Sequence, residues 1–163
     1  MHEIAVEVGR RLKGARLILV TAESCTGGWA AQAITAIAGS SDWFERGFVT
    51  YSNDAKREML GVSADTLAQH GAVSEQTALE MACGALARSR AGVALAITGI
   101  AGPGGGSAAK PVGTVCFAWA ATGSRALSET LQFAGDREAV RRQSVIHALQ
   151  GVMRLLDQTG AAE

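Results

Sequence analysis

A short segment near the amino terminus combines two hydroxyls, a thiol and two glycines, in Ser24, Cys25, Thr26, Gly27 and Gly28. An apolar run precedes it and a helical pattern of apolar residues follows it, which predicts a turn between a strand and a helix. In open α/β sheets such turns lie at the carboxyl edge of the strands, where ligands bind, and helix N–H groups there favour anions. The segment is therefore predicted to bind a ligand and supply a nucleophile, although Ser and Thr also serve as ordinary helix caps.

Ser24 and Cys25 are rival candidates for that nucleophile. A thiol is intrinsically the more reactive group. Side chains alternate at the end of an extended strand, so the two point in opposite directions and only one of them can serve. The residues alone leave this choice open.

A second polar segment follows β-prone residues 48–51 and leads into a short predicted helix. With Asn53 as the helix cap, Lys56 falls in the first turn, where the helix dipole disfavours a charged ammonium. Its side chain is expected to lean toward the amino end, over Ser52 and Tyr51. A lysine kept partly neutral could act as a general base toward a serine. The alternative is an ordinary exposed lysine.

A glycine-rich loop follows the apolar strand predicted for residues 93–98 and begins with Thr98, Gly99 and, shortly afterwards, Gly102. It lacks both the Gly-Lys-Ser/Thr of a P-loop and the Gly-x-Gly-x-x-Gly of a dinucleotide-binding fold. We expect this loop to approach a ligand closely or to present N–H groups to an oxyanion. A flexible connector is the alternative.

Two arginines lie near the amino end of the last predicted helix, which starts at residues 135–136 and runs to about 157. On a helical wheel, Arg137 and Arg141 share the sector of apolar residues such as Val140 and Val152. Buried charge is costly without a partner. The arginines therefore either snorkel to solvent or pair locally, or they face the cleft and bind a phosphate or carboxylate.

The order of the predicted elements is typical of an α/β protein. Strands are predicted at residues 16–22, 48–51, 93–98, 112–120 and 126–133, and helices at 2–13, 26–38, 53–60, 63–67, from 74 onward and from 135 onward. The connection between the last two strands is too short for a crossover, so they are expected to pair antiparallel. The sheet is therefore predicted to be mixed.

Length and charge restrict the function. The 163 residues suit a single domain, residues 1–163, and the 15 basic residues balance the 15 acidic ones. Direct nucleic-acid binding and membrane attachment are therefore not expected. The absence of a signal segment or a long apolar run favours the cytoplasm. The three cysteines and three histidines are dispersed, so no disulfide or metal site is expected.

Several segments together resemble the carboxy-terminal domain family of CinA, which includes nicotinamide-nucleotide amidohydrolases of the PncC type. They are AESCTGG (22–28), TYSNDAK (50–56), GAVS (71–74), TGIAGPGG (98–105), KPVGTV (110–115) and GDR (135–137). The resemblance implies a three-layer α/β/α sandwich with a mostly parallel mixed sheet. It also implies hydrolysis of nicotinamide mononucleotide to nicotinate mononucleotide and ammonia, a nucleotide substrate and no cofactor.

By position, the resemblance assigns the nucleophile to Ser24, the base to Lys56 and a neighbouring hydroxyl to Tyr51. Further substrate-binding residues are expected among Cys25, Thr26, Gly27, Gly28, Ser52, Asn53, Thr98, Gly99, Gly102, Arg137 and Arg141. A homodimer is also implied, and Trp43, Phe44 and Trp119 are candidate exposed apolar residues for its interface. Two alternatives stay open: a non-catalytic nucleotide-binding module, and an interaction domain linked to competence or DNA repair.

Overall fold

A five-stranded sheet forms the centre of the computed structural model, which describes residues 1–160. The strands are β1 (Leu19–Glu23), β2 (Phe44–Val49), β3 (Val93–Gly99), β4 (Thr114–Ala121) and β5 (Leu127–Gln132), in the order β2-β1-β3-β4-β5. β1 pairs in parallel with β2 and β3, and β4 pairs antiparallel with β3 and β5. Only β4 is therefore reversed among these strands, which confirms the mixed, mostly parallel sheet.

Helices cover both faces of this sheet. They are α1 (His2–Ala15), α2 (Trp29–Thr35), α3 (Asn53–Leu60), α4 (Ala64–His70), α5 (Glu75–Ala87) and α6 (Arg137–Gly160), with a 3₁₀ turn at Ser40–Asp42. α1, α2 and α6 share one apolar core with the sheet, and α3 and α5 share the other. The predicted three-layer α/β/α sandwich is confirmed. Across residues 1–160, no helix has the length and apolar character needed to cross a membrane.

The central strand β3 shows why the sequence favours this architecture. Val93, Leu95 and Ile97 face the core with α1 and α6, whereas Ala94 and Ala96 face the core with α5. All five are fully buried, so the strand is apolar throughout rather than alternating. Its small alanines leave room for α5 to pack closely on the sheet.

Element boundaries near the candidate site differ from the sequence-based prediction: α2 begins at Trp29 rather than at residue 26, and two further differences lie next to Lys56. β2 ends at Val49, so Tyr51 lies beyond the strand, because its parallel pairing with β1 begins at Phe44 and ends where β1 ends. α3 is capped by Ser52 rather than Asn53: the extended Ser52 accepts the Ala55 N–H at 3.0 Å. Both are good capping residue types, so sequence alone did not separate them.

The apolar residues expected to be exposed at a dimer interface are not exposed. Trp43 and Trp119 are each 2% exposed, and Phe44 is partly buried. The indole N–H of Trp119 donates to the Ala148 carbonyl at 2.8 Å, which satisfies its polar atom inside the core. The expectation for these side chains was therefore wrong, because they fill the layer between the sheet and the helices.

A glycine contact fixes the distance between α5 and α3, the helix that carries Lys56. A Cβ at Gly84 would overlap the backbone carbonyl of Leu60. We expect Gly84→Ala to lower the free energy of unfolding by about 2–3 kcal/mol, because overpacking outweighs the helix-propensity gain of about 1 kcal/mol. Urea unfolding measures the difference. The matched control is Gly14→Ala in α1, where a Cβ meets nothing within 4 Å and the change should be neutral or stabilising. An equally stable Gly84→Ala variant would contradict this packing.

Candidate active site

Several segments far apart in the chain converge on one cavity at the carboxyl end of β1 and β3. The cavity has a volume of about 270 Å³ and receives residues from the turn after β1, from α3, from the glycine-rich loop after β3 and from α6. The sequence-predicted residues that line it are Ser24, Cys25, Tyr51, Asn53, Lys56, Thr98, Gly99, Gly102 and Arg137.

The Lys56 ammonium and the Ser24 hydroxyl are in direct contact at this cavity. Lys56 Nζ lies 2.9 Å from Ser24 Oγ and donates a second hydrogen bond to the Thr50 carbonyl at 2.8 Å. The Ser52 cap makes Lys56 the fourth residue of α3, and its side chain runs back toward the amino end of the helix. This is the expected direction for a long helical side chain. A contact of this length would allow a proton to pass between the two groups.

Burial sets the protonation behaviour of Lys56. The residue is 1% exposed, and desolvation lowers the pKa of its ammonium below the ordinary lysine value. A neutral amine retains an N–H for the Thr50 carbonyl and turns its lone pair toward the Ser24 hydroxyl. Lys56 is therefore equipped to remove the proton from Ser24 Oγ.

Burial raises the pKa of Cys25, the rival candidate for the nucleophile, whereas it lowers the pKa of Lys56. Cys25 is 6% exposed, and desolvation raises the pKa of its thiol to about 12. A thiol with this pKa stays protonated at neutral pH and is a poor nucleophile. Lys56 Nζ hydrogen-bonds to Ser24 Oγ, so the contact with a possible base, together with the raised pKa of the thiol, favours Ser24 over Cys25.

Tyr51 and Arg137 meet at the mouth of the cavity. Arg137 Nη2 donates to the Tyr51 hydroxyl at 3.1 Å, and Nη1 donates to the Gly102 carbonyl at 2.8 Å. Tyr51 is 62% exposed. Across the described part of the chain, its hydroxyl makes no hydrogen bond to Ser24 or Lys56. The structure thus brings Tyr51 to the cavity but does not place it between the nucleophile and the base.

The other sequence-predicted residues do not line this cavity: Thr26, Gly27, Gly28, Ser52 and Arg141. Gly27 and Gly28 adopt φ values of +59° and +98°, which favour glycine and let the chain turn sharply into α2. Ser52 caps α3. Arg141 lines an adjacent open groove of about 580 Å³, which shares Arg137 with the cavity.

Ala72, Val73 and Glu23 contribute to the site but were missing from the predicted site residues. Ala72 and Val73 line the cavity, and the Ala72 carbonyl accepts the Thr98 hydroxyl at 2.8 Å. These apolar side chains carry no chemical signal, although their segment contributes to the family resemblance. Glu23 is fully buried beneath the turn. The sequence did hold a clue to Glu23, because an acidic residue at the end of an apolar strand is expected to be buried and to need a partner.

The loops around the cavity contain possible oxyanion donors. The Gly27 N–H is occupied by the Ser24 carbonyl at 3.0 Å, and the Ile100 N–H by the Thr114 carbonyl at 2.8 Å. Within residues 1–160, the N–H groups of Ala101 and Gly102 have no protein acceptor. Both residues line the cavity, so these two N–H groups are the candidates to contact a ligand from this loop. The described residues hold no group of three or more His, Cys, Asp or Glu side chains suited to a metal ion.

Comparisons with known proteins identify the family of this chain. The sequence model of the CinA C-terminal domain matches residues 1–156. A relative from Escherichia coli K12, named nicotinamide-nucleotide amidohydrolase PncC, is 58% identical over 150 residues, which cover 92% of this chain and 91% of the relative. A protein of the same name from Pseudomonas putida is 54% identical over 152 residues, covering 93% and 94%.

A solved structure has the same fold as this chain. The crystal structure of the competence/damage inducible protein CihA from Agrobacterium tumefaciens superposes with a TM-score of 0.93 at 52% identity and covers 94% of each chain. The family match spans nearly all of the described residues, including every segment that reaches the cavity. The chain therefore belongs to the CinA C-terminal domain family.

Proposed function

We propose that the protein is an amidohydrolase that converts nicotinamide mononucleotide into nicotinate mononucleotide and ammonia, with Ser24 as nucleophile and Lys56 as base. The observation that carries the proposal is the 2.9 Å contact between Lys56 Nζ and Ser24 Oγ in a cavity. The substrate is suggested by the name of the Escherichia coli and Pseudomonas putida relatives. A reaction of this kind belongs to pyridine nucleotide salvage.

In the acylation step, neutral Lys56 accepts the proton of the Ser24 hydroxyl while Oγ forms a bond to the carboxamide carbon. The carbonyl π electrons move to oxygen, and the N–H groups of Ala101 and Gly102 are the proposed donors to this oxyanion. The Lys56 ammonium then returns the proton to the amide nitrogen. The C–N bond breaks, ammonia leaves, and Ser24 is left as an ester of nicotinate mononucleotide.

Deacylation uses the same groups in the reverse order. Lys56 removes a proton from water, and the resulting hydroxide attacks the ester carbon. The C–O bond to Ser24 breaks, Oγ regains its proton from Lys56, and nicotinate mononucleotide leaves as a carboxylate after its acid proton passes to solvent. Every proton transfer to or from Ser24 in this scheme runs through Lys56, so the scheme does not require the hydroxyl of Tyr51.

The ribose phosphate is proposed to extend from the cavity toward α6. Arg137 lies at the boundary between the cavity and the open groove, and its guanidinium already forms hydrogen bonds at the mouth. A guanidinium in this place matches the planar geometry of a phosphate. Asn53, Thr98 and the Gly99 backbone are the proposed contacts to the nicotinamide end.

Ammonia release from nicotinamide, its riboside, its mononucleotide and the dinucleotide tests the proposal. We expect kcat/KM to be largest for the mononucleotide and at least about tenfold lower for the riboside, because one charge-assisted phosphate contact contributes about 1.5–3 kcal/mol. Equal kcat/KM for nicotinamide and the mononucleotide would contradict the phosphate contact. Calorimetric binding of the mononucleotide without ammonia release would indicate a non-catalytic nucleotide-binding module instead.

A further inference from the structure

The nucleophile turn, residues 23–28, is held from its inner side by a buried carboxylate. Glu23 Oε1 accepts the Thr26 hydroxyl at 2.7 Å and the Ala30 N–H at 2.8 Å, and Oε2 accepts the Ala31 N–H at 3.1 Å. Glu23 and Thr26 are both fully buried. One carboxylate therefore joins the end of β1, the turn and the first turn of α2.

An arginine holds the same turn from α6. Arg141 Nε donates to the Cys25 carbonyl at 3.1 Å, and Nη2 donates to the Thr26 carbonyl at 3.1 Å. Its guanidinium also lies over the Trp29 ring, 5.3 Å from the centroid, which fixes the plane of the group. Because a peptide group is planar, fixing two successive carbonyls fixes the peptide planes on both sides of Thr26.

The turn needs this support because its own sequence gives it little stiffness. Gly27 and Gly28 take left-handed backbone conformations, and glycine has more conformational freedom than any other residue. Ser24, by contrast, must keep its Oγ at 2.9 Å from Lys56 Nζ. A misplacement of about 1 Å in a reacting group can reduce the rate about 10²-fold.

We propose that Glu23 and Arg141 are positioning residues that together hold the nucleophile turn in its reactive geometry, and that Arg141 is not a substrate ligand. Only the expected effect on kcat rests on the proposed function; the holding of the turn does not. The two arginines of α6 thus have different tasks. Arg137 reaches the mouth of the cavity and contacts the substrate, whereas Arg141 acts on the rate through the backbone that carries Ser24.

The key variant is Arg141→Lys, which keeps the charge but has a single nitrogen that cannot bridge the two carbonyls in the same way. We expect kcat for the mononucleotide to fall about 10- to 100-fold, with KM changed less than about threefold. Arg137→Lys should mainly raise KM. Arg142→Lys is the matched control, because Arg142 lies on the same helix and pairs only with exposed Glu138 in the described structure; its kinetics should match those of the wild type.

A second measurement reports on the turn without using the reaction. Cys25 lies in the turn and is buried, Cys116 is buried in β4, and Cys83 is exposed on α5. Native protein is treated with a thiol-alkylating reagent, and the rate at each cysteine is followed by peptide mass spectrometry. Local opening of the turn should accelerate labelling of Cys25 alone, whereas global unfolding should accelerate Cys25 and Cys116 together.

In Arg141→Lys we expect Cys25 to be labelled at least about tenfold faster than in the wild type, with Cys116 and Cys83 unchanged. Glu23→Gln should give the same pattern, because an amide offers one acceptor oxygen to three donors.

An unchanged Cys25 labelling rate in Arg141→Lys would overturn the proposal. A large rise in KM with unchanged kcat would also overturn it, because Arg141 would then be a substrate ligand. Accelerated Cys25 labelling in a protein that releases no ammonia would leave the holding of the turn intact and refute only the proposed function.

Discussion

Replacing Ser24 with alanine is expected to lower kcat/KM for nicotinamide mononucleotide by at least about 10³-fold, because loss of an activated nucleophile removes the covalent route. The variant should fold normally, because the hydroxyl is a small group at the cavity surface. Ammonia release under matched enzyme concentrations measures the effect. Substrate binding, followed by calorimetry, should be retained.

The neighbouring thiol provides the matched control for that experiment. Cys25→Ala removes a side chain next to Ser24, but it leaves the 2.9 Å contact between Lys56 Nζ and Ser24 Oγ in place. Because burial raises the pKa of Cys25 to about 12, the thiol should contribute little as a nucleophile, and activity should stay within about tenfold of the wild type. Activity in Ser24→Ala together with its loss in Cys25→Ala would reverse the assignment.

Replacing Lys56 with arginine is expected to lower kcat by about 10²- to 10⁴-fold, since positioned acid–base groups contribute gains of that size. A guanidinium keeps the positive charge but does not release its proton at accessible pH. Circular dichroism checks that the variant is folded. Lys13→Arg is the control, because Lys13 pairs with Asp42 on the surface and should be replaceable without loss. Near-normal turnover by Lys56→Arg would show that Lys56 is not the general base.

The pH dependence of the wild type follows from the same residue. Desolvation lowers the pKa of Lys56, and the active form is the neutral amine, so kcat/KM should rise as pH increases through that lowered pKa and then level off. The midpoint of the rise should therefore lie below the pH at which an ordinary lysine is half deprotonated. A profile that falls with pH over this interval would indicate that the ammonium is the active form.

The parts of the fold that follow from local patterns could be predicted from sequence. The apolar run at residues 93–98 indicated a strand, which is confirmed as β3. The helix starts predicted at residues 63 and 74 are also confirmed, because Ser63 and Ser74 cap α4 and α5. The start of β2 was missed because Glu45, Arg46 and Gly47 are not typical strand residues. Parallel pairing with β1 overrides their local preference.

The candidate site could be predicted as a set of residue types but not as a set of contacts. Surface exposure is the usual fate of a lysine, and the burial of Lys56 depends on a partner 32 residues away in sequence. Arg141 was grouped with Arg137 because both fall on one helical sector. The two arginines lie in different places because they bind different backbone carbonyls: Arg137 binds that of Gly102, and Arg141 binds those of Cys25 and Thr26. No pattern of side chains in the sequence reveals these carbonyl contacts.

The most direct measurement is the identity of the acylated residue during turnover. The enzyme is mixed with excess nicotinamide mononucleotide, quenched in acid within the first turnovers, digested and sequenced by mass spectrometry. We expect an ester of nicotinate mononucleotide on Ser24 that is absent from Lys56→Arg quenched at the same times. Ammonia release with the acyl group on Cys25, or with no acylated peptide in the first turnovers, would contradict the proposed mechanism.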